Sequence, residues 1–196
     1  MKTSIADIVD SKSTAEQIEP TVLLEEAQLT GMLILRASAA RDQLSAALRS
    51  VLELELPERL QSDARGAHFC VRWMSPDEWL LSCPIEQAYD IEKKLRAAIT
   101  GHIAIVNVSG GYCLLTLSGV DAINVMRKST SYNINPENFP PGKVVNTVMA
   151  KAQATLMKLD GDRYEVLVRR SLADYLWLWL QRAGKEYGLQ AVVATA

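Results

Sequence analysis

Histidine and cysteine, which supply most zinc ligands and many catalytic nucleophiles, are scarce in this sequence. It contains two histidines and three cysteines. Cys70, Cys83 and Cys113 are irregularly spaced, which does not indicate a disulfide framework. His68 and Cys70 would face the same side of a strand, but no second pair follows at zinc-site spacing, so structural thiols are favoured over metal ligands. His102 is isolated and no G-x-S-x-G sequence occurs, so a Ser or Cys triad is not indicated either.

The sequence also lacks an excess of charge of one sign and any long apolar segment. Its formal net charge is −2 and its isoelectric point is about 5.8. Without a basic run, no nucleic-acid partner is expected. The first residues, MKTSIADIVDSKSTAEQIEP, lack the apolar core of a signal peptide, and no segment approaches a membrane span. We therefore expect a cytoplasmic protein with no membrane association.

Hydrophobic residues are abundant by contrast, at 48% of the chain, which is enough for a sizeable core. From residue 29 onward, segments with the apolar period of strands and helices follow in the order β-α-β-β-α-β. Residues 110–196 run through much the same order. We predict an α+β fold of two related, ferredoxin-like halves, 29–109 and 110–196, packed as one compact unit. Residues 1–28 are polar and are predicted to form a loose N-terminal arm.

Two serines in the second half stand three residues before an aspartate, in the S-x-x-D pattern of a capping box. Ser118 precedes Asp121, and Ser171 precedes Asp174. The pattern predicts that each serine caps the start of a helix.

The Ser109–Gly111 step in VNVSGGYCLLTLS has two interpretations. Its backbone amides could bind a phosphate, as in nucleotide-binding loops, or it could let the chain turn. Those loops open a helix, whereas this step is followed by the strand-like YCLLTLS. A turn that joins the two halves is therefore favoured.

The segment SLADYLWLWLQRAGKEYG is predicted to be a helix that is apolar on almost all sides. One stripe at helical spacing is expected to face inward, and it consists of Leu172, Tyr175, Leu176, Trp179, Leu180 and Ala183. Trp177 and Leu178 fall outside it. Because tryptophan is enriched at the centres of interfaces, we expect Trp177 and Leu178 to contact a partner protein, although scattered exposed apolar residues are also common.

The polar loop 129–142 is the remaining candidate contact. Tyr132 and Asn133 within it could meet a neighbouring subunit near that subunit's active site. The alternative is an ordered connection stiffened by three prolines, and the sequence favours neither.

Three motifs together resemble the γ subunits of heterotetrameric sarcosine oxidase. They are P-D-E-W-L-L at 76–81, S-G-x-D-A at 118–122 and R-S-L-A-D-Y-L-W-x-W-L at 170–180. The resemblance covers about residues 65–188. It implies a fold related to the tetrahydrofolate-binding aminomethyltransferase of the glycine cleavage system.

The resemblance also implies a complex. Its α and β subunits look like the carriers of FAD, covalently attached FMN, NAD and the tetrahydrofolate site, and a δ subunit resembles a zinc-binding protein. The complex oxidises sarcosine to glycine with O2, which gives H2O2 and, with tetrahydrofolate, 5,10-methylenetetrahydrofolate. This chain would then be a structural and assembly subunit of an oxidoreductase, with no catalytic, cofactor-binding or metal-binding residue of its own.

Two departures from the aminomethyltransferase pattern favour that non-catalytic role. Asn107 stands where that family has the aspartate of an Asp-x-Ser step. Ala154 and Thr155 lie near the place of an acidic pair, and neither can supply the carboxylate that a folate nitrogen would need. A stand-alone tetrahydrofolate-binding or one-carbon-transfer protein is the alternative function.

Overall fold

The computed structural model describes residues 19–193, and the predictions for residues 1–18 and 194–196 lie outside the described residues. The chain first forms β1 (Leu23–Glu26), β2 (Thr30–Arg36), α1 (Arg41–Leu52), β3 (Ser62–Arg65), β4 (Phe69–Ser75), β5 (Glu78–Pro84), α2 (Ala88–Ala98) and β6 (Ala104–Asn107). It continues with β7 (Tyr112–Ser118), α3 (Ala122–Ser129), β8 (Val144–Met149), β9 (Ala152–Lys158), β10 (Arg163–Arg169), α4 (Arg170–Gly184) and β11 (Gln190–Val192).

The first sheet, which we call sheet I, has the strand order β3-β4-β5-β2-β6, and all neighbours are antiparallel. Helices α1 and α2 cover one of its faces. Alternate residues of each strand point to that face, and those of the central strands are apolar. They pack with Leu48 of α1 and Leu95 of α2 in one buried cluster. Strand members of the cluster are Leu33, Leu35, Val71, Trp79, Leu81, Cys83 and Ile105.

The second sheet, sheet II, has the strand order β11-β1-β7-β10-β9-β8. Strand β1 is antiparallel to β7 and parallel to β11. Its residues 23–26 belong to the segment predicted as a loose arm, yet they form a strand in the interior of this sheet. Helices α3 and α4 cover the outer face, where Leu24 of β1 is fully buried in the same cluster as Val125 of α3 and Leu180 of α4.

The two sheets face each other, so the chain forms four layers in the order helices, sheet I, sheet II, helices. Met32 and Leu80 of sheet I pack against Leu167 of sheet II, and Cys70 of sheet I packs against Met157. We call the space between the sheets the inter-sheet layer. Central strands are buried on both faces, which is why segments such as EWLLSC read as continuous apolar runs.

Two of the motifs that carry the family resemblance have roles in this packing. The indole of Trp79 is fully buried on sheet I and donates a hydrogen bond to the Pro57 carbonyl at 2.9 Å. Gly119 has φ +114°, and a Cβ placed there would lie 2.1 Å from the Thr21 carbonyl oxygen. Only glycine lets the chain enter β1 this close to the end of β7.

The predicted α+β class is confirmed, with two sheets and helices outside them. Both capping predictions are wrong. Ser118 is the last residue of β7 and α3 begins at Ala122, while α4 begins at Arg170, before Ser171. Neither helix has a side-chain hydrogen bond at its cap.

Candidate functional site

A buried ion pair joins the two sheets at the centre of the inter-sheet layer. Arg72 of β4 is 2% exposed and Glu165 of β10 is 8% exposed. The Nε and Nη2 atoms of Arg72 both donate to Oε1 of Glu165, at 2.9 and 2.5 Å, and Nη1 donates to the Ser82 hydroxyl at 2.8 Å. Among the described residues, no other charged side chains so deeply buried form an ion pair between the two sheets.

Strand alternation places both charges inside. On β4, Val71 points to the helices while Arg72 points to the other sheet, and on β10 Val166 and Glu165 do the same. Burial alone would lower the pKa of Arg72, but the attraction and hydrogen bonds of Glu165 outweigh it and raise that pKa above its ordinary value. The guanidinium therefore stays charged, and the pair is a permanent polar contact within an otherwise apolar fold.

An open groove with a volume of about 980 Å3 borders this ion pair and runs between the sheets. Arg72, Ser82 and Glu165 line its floor, together with Thr116 of β7. Leu29 and Ile85 stand at one rim, where they are 57% and 37% exposed. A few polar groups that converge on a concave surface with apolar neighbours are typical of binding sites, where they fix the orientation of a ligand.

The metal and thiol candidates do not assemble into a reactive group. Within residues 19–193, no set of three or more His, Cys, Asp or Glu side chains is placed to hold a metal ion. Cys70 is buried beside Val144 and Met157, and burial raises the pKa of its thiol to about 11. A protonated thiol is a poor nucleophile and metal ligand at neutral pH.

Asn107 and Thr155, two of the residues compared with the aminomethyltransferase pattern, make hydrogen bonds within the fold. Oδ1 of Asn107 accepts a bond from the Ser109 amide at 3.0 Å, and the Ser109 hydroxyl accepts one from the Met32 amide at 2.9 Å. The Thr155 hydroxyl donates to Asn146 Oδ1 at 2.6 Å, and Asn146 Nδ2 donates to the Met74 carbonyl of sheet I at 2.7 Å. The Asn146–Met74 bond links the two sheets, whereas the Asn107 and Ser109 bonds hold the turn that leaves sheet I.

The Ser109–Gly111 step is a turn, as predicted. Gly110 has φ +80°, and the Gly111 amide donates to the Val108 carbonyl at 2.8 Å. The turn leads from β6 of sheet I into β7 of sheet II.

Helix α4 faces the core with a different side from the one predicted. Trp177 is half-buried and packs against the core cluster of sheet II, beside Leu176 and Leu180. Leu178 is 64% exposed, as the prediction required of an outward residue. The expected inward stripe is wrong at three of its residues, which are exposed instead: Leu172, Tyr175 and Trp179.

These three residues and Leu178 form what we call the α4 apolar face, which the sequence reasoning missed. They lie on neighbouring turns of one side of the helix, adjacent to the buried side. The Trp179 indole donates to the Ser129 hydroxyl at 3.2 Å, which fixes its ring against the end of α3. The signal was present in the sequence, since the helix is apolar on more sides than one core can bury.

Tyr132 and Asn133 lie in a loop that is ordered by its own contacts. The Tyr132 ring is half-buried and meets Phe139 edge-on at 5.7 Å between centroids. Asn133 is exposed; its Oδ1 accepts from the Asn135 amide at 3.1 Å, and its carbonyl accepts from Asn138 Nδ2. Both residues are thus held in place, and they do not adjoin the floor of the groove.

No helix within residues 19–193 combines the length and the apolar composition needed to cross a membrane.

Comparison with known proteins identifies relatives of this chain along most of its length. The chain is 27% identical over 197 residues to the sarcosine oxidase subunit gamma of Arthrobacter sp, with 92% of this chain and 96% of the relative covered. Among solved structures, a chain of heterotetrameric sarcosine oxidase from Corynebacterium sp. U-96 in complex with pyrrole 2-carboxylate matches with a TM-score of 0.78. The identity is 24%, with 98% of this chain and 95% of that chain covered.

A more distant structure shares the fold as well. Glycine cleavage system aminomethyltransferase T from Bartonella henselae matches with a TM-score of 0.65 at 13% identity, over 90% of this chain and 49% of that chain. The family model for the sarcosine oxidase gamma subunit matches residues 36–186. That span includes all four helices and the Arg72–Glu165 ion pair, and the chain belongs to the sarcosine oxidase gamma subunit family.

Proposed function

We propose that this chain is the non-catalytic structural and assembly subunit of a heterotetrameric sarcosine oxidase. The observation that carries the proposal is the family match over residues 36–186. The complex would oxidise sarcosine to glycine with O2 and, with tetrahydrofolate, give H2O2 and 5,10-methylenetetrahydrofolate. Its α, β and δ subunits are the proposed partners, and they would hold FAD, covalent FMN, NAD, zinc and tetrahydrofolate in the cytoplasm.

Three features of the chain support a non-catalytic role. Asn107 and Thr155 stand near the carboxylate positions of the aminomethyltransferases and are hydrogen-bonded within the fold. The buried charges Arg72 and Glu165 satisfy each other. Cys70 is held as a thiol. We further propose that the division into halves 29–109 and 110–196 reflects two ferredoxin-like repeats. The strand order β3-β4-β5-β2-β6 of sheet I corresponds to β8-β9-β10-β7-β11 of sheet II, in which β1 is inserted between β7 and β11.

We propose the α4 apolar face as the main contact with another subunit, centred on Leu178. Trp177 supports this face from behind rather than touching the partner. Four large apolar side chains on one helix are a costly surface to leave in water, and such surfaces mark protein contacts in stable complexes. Tyr132 and Asn133 are proposed as a second, smaller contact, held ready by the ordered loop 129–142.

Co-expression with α, β and δ chains tests the assembly role. We expect the chain to elute with the flavin absorption in size-exclusion chromatography. Leu178→Asp should weaken this association about tenfold or more, because it places a charge in an apolar contact. Tyr89→Asp is the matched control, since Tyr89 is an equally exposed apolar residue on α2 of the other sheet. A wild-type chain absent from the flavin peak would refute the proposal.

Titration of the isolated chain with tetrahydrofolate tests the alternative of a stand-alone folate-binding protein. We expect no saturable heat of binding, because the carboxylate positions hold Asn107, Ala154 and Thr155. Saturable micromolar binding by the isolated chain would favour the alternative instead.

A further inference from the structure

The groove between the sheets adjoins hydrogen-bonding groups that the fold does not use. Both Arg72 donors that reach Glu165 go to Oε1, and no described residue bonds to Oε2. Nη1 and Nη2 of Arg72 each retain a second N–H, since a guanidinium has five donors. Thr116 lies directly beside Glu165 in the sheet register, and no hydrogen bond of its hydroxyl is made within the described chain.

These groups suit an amide better than a charged small molecule. A peptide N–H can donate to Oε2 of Glu165 while a peptide C=O accepts from Arg72, and both residues line the groove. The remaining charged lining residues include both signs, namely Arg163 and Lys158, and Asp160 and Glu86. A lining without a net charge of one sign does not select a phosphate or a polycation.

The shape of the groove points the same way. Its volume of about 980 Å3 lies at the upper end of the range for small-molecule pockets, and it is partly open to solvent. Small ligands are usually enclosed on most of their surface, whereas extended polypeptides bind in open grooves. Leu29 and Ile85 at the rim offer apolar contacts for the side chains of such a segment.

We propose that the inter-sheet groove receives an extended polypeptide segment of a partner subunit, whose backbone amide bonds to Glu165 Oε2 and Arg72. This inference rests on the proposed assembly function, and it adds a second docking surface on the opposite side of sheet II from the α4 apolar face. The Arg72–Glu165 pair then serves two purposes: it holds the two sheets together and presents the polar floor on which the segment lies.

Photo-crosslinking in the assembled complex tests the groove directly. The residue p-benzoylphenylalanine is introduced at Leu29 on the rim and, as a control, at Tyr89 on the outer side of α2. After purification of the flavin-bearing complex and irradiation, we expect the Leu29 probe to give an adduct with another subunit, identified by mass spectrometry. An assembled complex in which this probe yields no adduct with another subunit overturns the inference.

Filling the groove provides a second, independent measurement. Thr116→Trp should weaken assembly about tenfold or more, since its indole would occupy the floor. Thr116→Val keeps the size of the side chain and should weaken assembly by less than about threefold, consistent with the loss of at most one hydrogen bond. Thr116→Trp with unchanged assembly overturns the groove inference, and failure of the wild-type chain to assemble overturns the proposed function instead.

Discussion

The outer faces of the two sheets and the inter-sheet layer are built from different chemistry. On the outer faces, helices cover large and almost wholly apolar clusters, in which Leu81 and Leu180 are fully buried. Between the sheets, two small apolar clusters stand beside the Arg72–Glu165 pair and the hydrogen bond from Asn146 to the Met74 carbonyl. The outer clusters supply most of the burial that stabilises each half, whereas the polar contacts determine how the halves align, because they are satisfied in one arrangement only.

This division of roles has a consequence for binding. A sheet face covered by helices is closed to partners. The inter-sheet layer, which is held partly by polar contacts, is not completely filled by side chains. The groove occupies the unfilled space, and its floor is the same ion pair that joins the halves. In a subunit whose proposed role is assembly, the layer that aligns the two halves is also a surface that a partner can reach.

Removal of one member of the ion pair should have the largest effect on stability. Arg72→Met leaves the Glu165 carboxylate buried without its partner, and we expect the free energy of unfolding to fall by about 3–5 kcal/mol. The double variant Arg72→Met with Glu165→Leu should recover most of this loss, since neither charge remains buried. Urea denaturation of the three proteins measures both steps. Equal losses in the single and double variants would mean that the pair is not coupled.

Two neighbouring leucines of β5 allow the two regions to be compared by the same substitution. Leu81 points into the outer cluster and Leu80 into the inter-sheet layer, and both are almost fully buried. We expect alanine substitution to cost about 2–5 kcal/mol, with Leu81→Ala in the upper part of this range and Leu80→Ala in the lower part. The reason is that the inter-sheet cluster around Leu80 is small and is edged by partly buried residues, so that site can relax or admit water more readily. Thermal and urea unfolding would show a reversed order if the inter-sheet layer were the tighter core.

The dependence of stability on alkaline pH provides a weaker probe of the inter-sheet layer. Burial raises the pKa of the Cys70 thiol to about 11. An unfolded thiol ionises near pH 8.5, so between this value and pH 11 the folded state binds more protons than the unfolded state. The free energy of unfolding should therefore fall as the pH rises through this window, by up to about 1.4 kcal/mol per pH unit for Cys70.

Denaturation at pH 8, 9 and 10 measures that slope, and Cys70→Ala should reduce it. Cys83→Ala should reduce the slope by a similar amount, because burial in the outer cluster also raises the pKa of that thiol to about 11. A slope that is the same with and without Cys70 would show that this thiol is accessible to water in the folded state.

The smallest effect is expected from the hydrogen bond between Thr155 and Asn146. Thr155→Val preserves the shape of the side chain and removes the donor, which should cost about 1 kcal/mol because water can replace it at the exposed Asn146. Ala154→Gly, on the opposite face of β9, serves as a control for changes in the strand itself. A loss above about 3 kcal/mol for Thr155→Val would mean that this bond matters as much as the ion pair.

Helix α4 shows where periodicity alone is insufficient. Its residues from Tyr175 to Leu180 are all apolar, so the 3.6-residue period does not select one inward side. The prediction that Leu178 faces outward was confirmed. Trp177, predicted outside the inward stripe, packs against the core, and Trp179, predicted inside it, is exposed. The side that packs is set by the direction in which the chain leaves β10, and that direction is a property of the sheet.

Local sequence patterns were sufficient for the α+β class, the order of most elements and the turn at Ser109–Gly111, since alternation and turn chemistry depend on neighbouring residues. The family motifs could also be recognised in the sequence. Residues within them, such as Trp79 and Gly119, are required by close packing. Only the tertiary structure decided that β1 lies inside sheet II and that Arg72 meets Glu165, which is 93 residues away. Contacts of this kind arise when distant strands become neighbours, and no local period in the chain records which strands those are.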